Sequence, residues 1–463
     1  MEMEKKSVWL SYNEEERKEL ERVNKRYVEC LNAGKTEREC VRLAIKMAKE
    51  AGYVDMEEVI AKGGSLKTGD KVYAVYNEKE LLLFRLGSEP IEKGMNILGA
   101  HIDSPRIDVK QQPLYENEGF AYMDTHYYGG IKKYQWLTIP MALHGVFIKK
   151  DGTKVCVNIG EDENDPVLVI SDLLVHLSAK QLEQKASSFI DGEKMDLIVG
   201  NMPLKDEEED AIKKNVMSIL AEKYDIVEDD FVSAELEIVP AGGARDCGLD
   251  RSMIMGYGHD DRICAFTSLF AMLEDVDVKR TACCILVDKE EIGSVGASGM
   301  TSMFFENKVA ELMDLAGETG HIKLRRALAN SKMLSSDVSA AFDPMYADKF
   351  EKKNSAYFGR GLVFNKYTGA RGKSGTSDAN AEYCAEIRRI MEDNNVAYQT
   401  AELGAVDVGG GGTIAFIMAK YSMDVIDSGI AILCMHAPHE VASKADIYEA
   451  TKGYRAFLNE TFE

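Results

Sequence analysis

Histidine is scarce in this chain, eight among 463 residues, so each one with a chemical context carries weight. Positive charge is also short: 56 Lys and Arg stand against 78 Asp and Glu, a formal net charge of −22. A surface with that excess repels phosphate backbones, which argues against nucleic acid as a partner. No apolar run reaches the roughly 18 residues a membrane helix needs, so no membrane span is expected. The opening stretch MEMEKKSVWLSYNEEERKEL lacks the apolar segment of a secretory leader, and the expected location is the cytoplasm. None of the nine cysteines stands in a CxxC pair, which excludes a zinc ribbon and gives no sign of a disulfide framework. Cys283 and Cys284 fall in an apolar strand-like run, where cysteine serves as a small hydrophobe. No 20–50-residue repeat and no low-complexity linker is present.

The remaining composition, 45% hydrophobic and 29% charged, suits a globular protein long enough for two domains. The first 50 residues read as two helices. Asn13 is placed to cap the first, and Thr36 with Glu39 forms a capping box ahead of Val41, Ala44, Met47 and Ala48 on one face of the second. KVYAVYN and LLLFRLG read as a hairpin, and MNILGAH as a buried strand ending on His101. Between about 107 and 240 the pattern shifts to short alternating segments, with Asp151-Gly152 marking a hairpin turn. The acidic run at 205–210 reads as a solvated loop. After 250, strands and helices alternate again. The expected fold is a three-layer α/β/α domain formed by residues 1–106 and 241–463, with a β-rich domain of residues 107–240 inserted for dimerisation or as a lid.

In open α/β sheets ligands gather beyond the carboxyl ends of the strands. Five segments place acids or histidines there: HIDSP (His101, Asp103), HDDR (Asp260, Asp261), DKEEIGS (Glu290, Glu291), SSDVSAA (Asp337) and MHAPHE (His436, His439). Singly, each reads as an ordinary polar strand end or a solvated loop. Together, two histidines and three carboxylates match what two zinc ions need: a shared carboxylate, terminal ligands for each ion, and positions left for water. A sixth group is then wanted as general base, and the Glu290–Glu291 pair supplies a base and a ligand side by side.

These motifs resemble the aspartyl aminopeptidase family, in the same order and spacing from about residue 10 to 460. The resemblance implies a dizinc aminopeptidase that removes N-terminal residues from peptides. It implies one zinc on His101, Asp260 and Asp337, and a second on Asp260, Glu291 and His436. Glu290 would be the general base, and Asp103 would bond the far nitrogen of His101. Manganese or cobalt would also accept this donor set. AVDVGGGGTIA is similar to a family loop near bound substrate, which would place Gly410 and Gly411 beside the peptide; a plain tight turn is the other reading. SDLLVHL resembles an insertion-domain segment whose histidine reaches a neighbouring subunit's site, so His176 is either catalytic or a buried core histidine. A homo-oligomer follows from the resemblance, dimer-based and assembled into a twelve-subunit shell. Two departures stand out. Ser339-Ala340-Ala341 replaces an Ala-His-Ala run after Asp337, and the family's specificity lysine aligns with Asn365, leaving Lys366 one place away. A lysine shifted by one on a strand faces the other side, so a preference for acidic N-terminal residues does not follow. The rival readings are a related dizinc exopeptidase or deacylase, and a catalytically dead self-assembling scaffold.

Overall fold

The computed structural model describes Lys6–Phe462; the first five residues of the stretch read for a leader lie outside the described residues. The helix Glu14–Ala33 starts where Asn13 accepts the backbone N–H groups of Glu15 and Glu16, and Glu16 returns a carboxylate to the Asn13 amide. Thr36 and Glu39 close the same reciprocal box on Glu37–Glu50. Each box satisfies amides that a helix start leaves open, and the acids of each first turn suit its positive dipole end.

Contacts divide the chain into two compact units. The first comprises Met1–Asp103, Ala244–Met435 and Glu440–Glu463; the second is Ser104–Gly243 with the short link His436–His439. In the first unit, nine strands form one sheet whose centre is Thr281–Val287, Met95–His101, Lys332–Ser336 and Asp424–Gly429 in that order, all parallel. Neighbouring residues of these strands enter different cores. Cys284, Leu98 and Leu334 pack with the helices Glu14–Ala33, His259–Met272 and Lys444–Asn459. Cys283, Ile97 and Met333 pack with Phe304–Leu315 and Ala415–Met418. A sheet covered on both faces needs apolar residues at successive positions, which is why TACCILV and MNILGAH read as unbroken apolar runs. The three-layer expectation is met: the sheet lies between two helical layers.

The second unit carries seven strands in one antiparallel sheet. Its hairpin Met141–Ile148 to Lys154–Ile159 turns at Asp151-Gly152, where the Thr153 amide donates to the Asp151 carboxylate. Residues 205–210 are exposed.

Candidate metal centre

His101 closes its strand with its ring 2% exposed, and the parallel neighbours end beside it. Its Nδ1 lies 2.9 Å from the Asp103 carbonyl oxygen and 3.3 Å from the Asp103 carboxylate. Donation from Nδ1 to that carbonyl fixes the tautomer and bares Nε2. Around Nε2 stand Asp260 Oδ1 at 3.3 Å, Glu290 Oε2 at 3.9 Å and Asp337 Oδ1 at 4.0 Å. Burial opposes the imidazolium, but bonds to Asp103 and Asp260 outweigh it and hold the His101 pKa well above its usual value. Burial, then the charge of Asp261, raises the Asp337 carboxyl likewise, against the pull of His101. Buried carboxylates this crowded favour a cation among them.

The ligand atoms of His101, Asp260 and Asp337 all lie within 4.8 Å of one another. Asp260 recurs in a second such group with Glu291 and His436. His436 is borne by the link between Ala431–Leu433 and Glu440–Ser443, two paired strands of the first unit. Its Nδ1 donates to the Gly130 carbonyl at 2.7 Å, which leaves Nε2 as the ligand atom. Imidazole nitrogen and carboxylate oxygen in threes are a zinc donor set with room for further ligands, so the residues present fit that metal.

Local structure aims each group. Asp260 sits at the start of His259–Met272, where its backbone leaves helical geometry (φ −79°, ψ 108°), and its amide donates to Glu440 Oε2 at 3.0 Å. Two residues before Asp260, Gly258 stands at φ +70°, and a Cβ there would fall 1.7 Å from the buried Arg262 guanidinium, so the position favours glycine. His259 is a structural neighbour. Its Nδ1 meets the Tyr27 hydroxyl at 2.6 Å, and burial lowers its pKa to about 3, keeping it neutral. Asp261 is fully buried, and burial pushes its carboxyl well up. Glu290 and Glu291 share a single helical turn, and both their amides donate to the Asp103 carboxylate at 3.1 Å. Asp103 therefore orients the histidine and the glutamate pair at once.

The chain matches the family model "Aminopeptidase I zinc metalloprotease (M18)" over residues 30–458. A probable M18 family aminopeptidase 1 of Clostridium acetobutylicum is 61% identical over 457 residues, covering 98% of each chain. This chain belongs to the M18 aminopeptidase family. Two solved structures agree in fold. An M18 aminopeptidase from Thermotoga maritima superposes with a TM-score of 0.95 at 43% identity, covering 99% of this chain and all of that one. Aminopeptidase I of Clostridium acetobutylicum gives 0.93 at 59%, with the same coverage. The M18 chain is thus a zinc-family hydrolase of peptide bonds, and the deacylase and dead-scaffold readings are set aside.

Lys366, His176 and Gly410 belong to neither ligand group. Lys366 is exposed and pairs with Asp378 at 3.0 Å. It leaves a strand antiparallel to Asp424–Gly429, with Asn365 opposite Asp427 and Val363 opposite Gly429. The chain is therefore moving away from the ligand-bearing end of the sheet when it reaches Lys366. His176 lies exposed on the turn Val175–Leu177, which overturns the core-histidine reading. Gly410 has φ +123°, and a Cβ there would strike the Ala370 backbone at 2.6 Å; close packing of two loops already requires this glycine. Glu440, which closes the MHAPHE motif, is 1% exposed and bonds the Asp260 amide, a contact that nothing in its own segment announces.

Proposed function

We propose that the chain is a two-zinc aminopeptidase in which His101, Asp260 and Asp337 hold one ion, Asp260, Glu291 and His436 the other, and Glu290 is the general base. One observation carries this reading: Asp260 belongs to both ligand groups, while Glu290 lies 3.9 Å from His101 Nε2 and belongs to neither. When bound, zinc supplies a Lewis acid for the scissile carbonyl and makes water acidic enough to attack at neutral pH. Glu290 takes the proton of the attacking water on its carboxylate and delivers it to the leaving amine. Asp103, bonded to the Glu290 and Glu291 amides, fixes the backbone turn that carries that carboxylate. Gly410 and Gly411 lie along the peptide backbone, where missing side chains permit close approach.

The test is a fluorogenic aminoacyl panel with and without chelator. Hydrolysis of free-amino substrates, lost on chelation and restored by zinc, manganese or cobalt, is the expected result. Chelator-resistant turnover, or preference for N-blocked substrates, would overturn it. The panel also reads the residue preference, which Lys366 does not assign.

We propose further that His176 completes a neighbouring subunit's site and that the enzyme works as a cytoplasmic homo-oligomer. Leu174, Val175 and Leu177 around it are 53%, 71% and 67% exposed, which suits a surface covered by another copy. A fold relative from S. cerevisiae, 19% identical, forms a dodecamer. Sedimentation should show a single assembly larger than one chain, and Val175→Asp should break it down; a monomeric wild type with full activity would remove His176 from the mechanism.

A further inference from the structure

The row of residues beneath the metal ligands contains a buried carboxylate that the chemistry above does not use. Gly99 pairs with Ser335, and Ser335 with Asp427, across three parallel strands. His101 lies two residues beyond Gly99 and Asp337 two beyond Ser335. Side chains alternate faces along a strand, so Asp427 stands on the His101 side of the sheet, one step below the ligands. It is 2% exposed, on the face where Val425, Ile414 and Ile417 pack.

Its Oδ1 accepts the Thr413 hydroxyl at 2.6 Å. Burial pushes the Asp427 carboxyl up to about 7, with the Thr413 bond opposing. Thr413 directly follows Gly409–Gly412, and its oxygen also accepts the amide of Ala415, the first residue of the helix Ala415–Met418, at 3.3 Å. Beyond Thr413 the chain is held by Ile414, Ala415 and Ile417 in the core. Before it, four glycines offer no side chain to hold; the run is held to other loops, by the Gly409 amide on the Ala405 carbonyl at 3.0 Å and by the packing of Gly410 on Ala370. The Gly411 amide donates to the Thr368 carbonyl at 3.0 Å, a bond to another loop rather than to the sheet. A glycine run left to itself samples many conformations, and fixing it ahead of binding lowers the entropy cost of ordering it around a ligand.

We propose that Asp427 and Thr413 form a strap that ties the glycine run to the sheet beside the metal ligands, making both positioning residues for the peptide substrate. The inference rests on the aminopeptidase reading above, and on the glycine run touching substrate. The strap acts on binding: the ligand groups and Glu290 are built on other segments. Thr413→Val keeps shape and removes the hydroxyl. Its expected effect is a KM raised roughly tenfold, with kcat within about twofold, because ground-state positioning is lost while the reacting groups stay in place. Zinc content should be unchanged, and Thr413→Ser should restore KM. Amide hydrogen exchange over 405–413 should speed up in the valine variant and return to the wild-type rate with serine. Exchange needs no turnover, so it tests the strap even if the wild type proves inactive on every aminoacyl substrate, a result that would instead remove the aminopeptidase reading. Unchanged exchange in Thr413→Val overturns the strap. So does faster exchange with unchanged KM in an active enzyme, or a KM effect accompanied by loss of zinc or of melting temperature.

Discussion

Replacing Glu290 with glutamine should lower kcat by about 10²–10⁴, the range that a positioned general base contributes, while the zinc content stays that of the wild type. Glutamine keeps the size of the side chain and one acceptor oxygen but cannot take up a proton at neutral pH. Glu290 lies outside both ligand groups, and its backbone amide, which the substitution leaves alone, still donates to Asp103. The ligand Glu291, anchored by the same carboxylate, should therefore keep its place. Single-turnover rates and metal analysis on one preparation check both halves. A variant retaining wild-type kcat would transfer the base role to another group. A variant losing zinc would show that Glu290 is a ligand.

The second large effect is expected at Asp260. Two divalent ions about 3.5–4 Å apart, the spacing of two-metal sites, repel by on the order of 15–20 kcal/mol at an effective dielectric near 20. A carboxylate shared between them offsets more of that repulsion than any terminal ligand can. Asp260→Asn keeps the shape and removes the charge, so zinc should be lost from both groups and activity should fall to background. Asp261→Asn is the control. That neighbour is fully buried and belongs to neither ligand group, so a neutral amide there should leave the metal content intact. Metal content after dialysis distinguishes the two variants. The reverse pattern, with Asp261→Asn stripping the zinc, would exchange their roles.

The chemistry of the candidate centre was legible because ligand types recur at strand ends, and each strand end is a local signal. MNILGAH and TACCILV announce buried strands by apolar residues at successive positions, and the groups that follow are then at the carboxyl edge of a sheet. Which of two adjacent aspartates joins the candidate ligand groups was not legible in this way. Both Asp260 and Asp261 leave helix geometry, and Asp260 differs in joining the candidate ligand groups and in an amide bond to Glu440, 180 residues later. The double use of Asp103 is equally distant in the chain. A histidine partner two residues away is a local pattern, but the Glu290 and Glu291 amides lie 187 and 188 residues on.

The sequence alone determined the capped helices at Glu14–Ala33 and Glu37–Glu50, the hairpin at Asp151-Gly152 and the set of metal-ligating residue types, because each depends on neighbours within a few positions. Tertiary structure decided that Asp260 joins two ligand groups, that Lys366 turns to Asp378, that His176 is exposed and that Asp427 reaches Thr413. Those outcomes depend on strand order and register, which bring distant segments side by side and which no run of adjacent residues encodes.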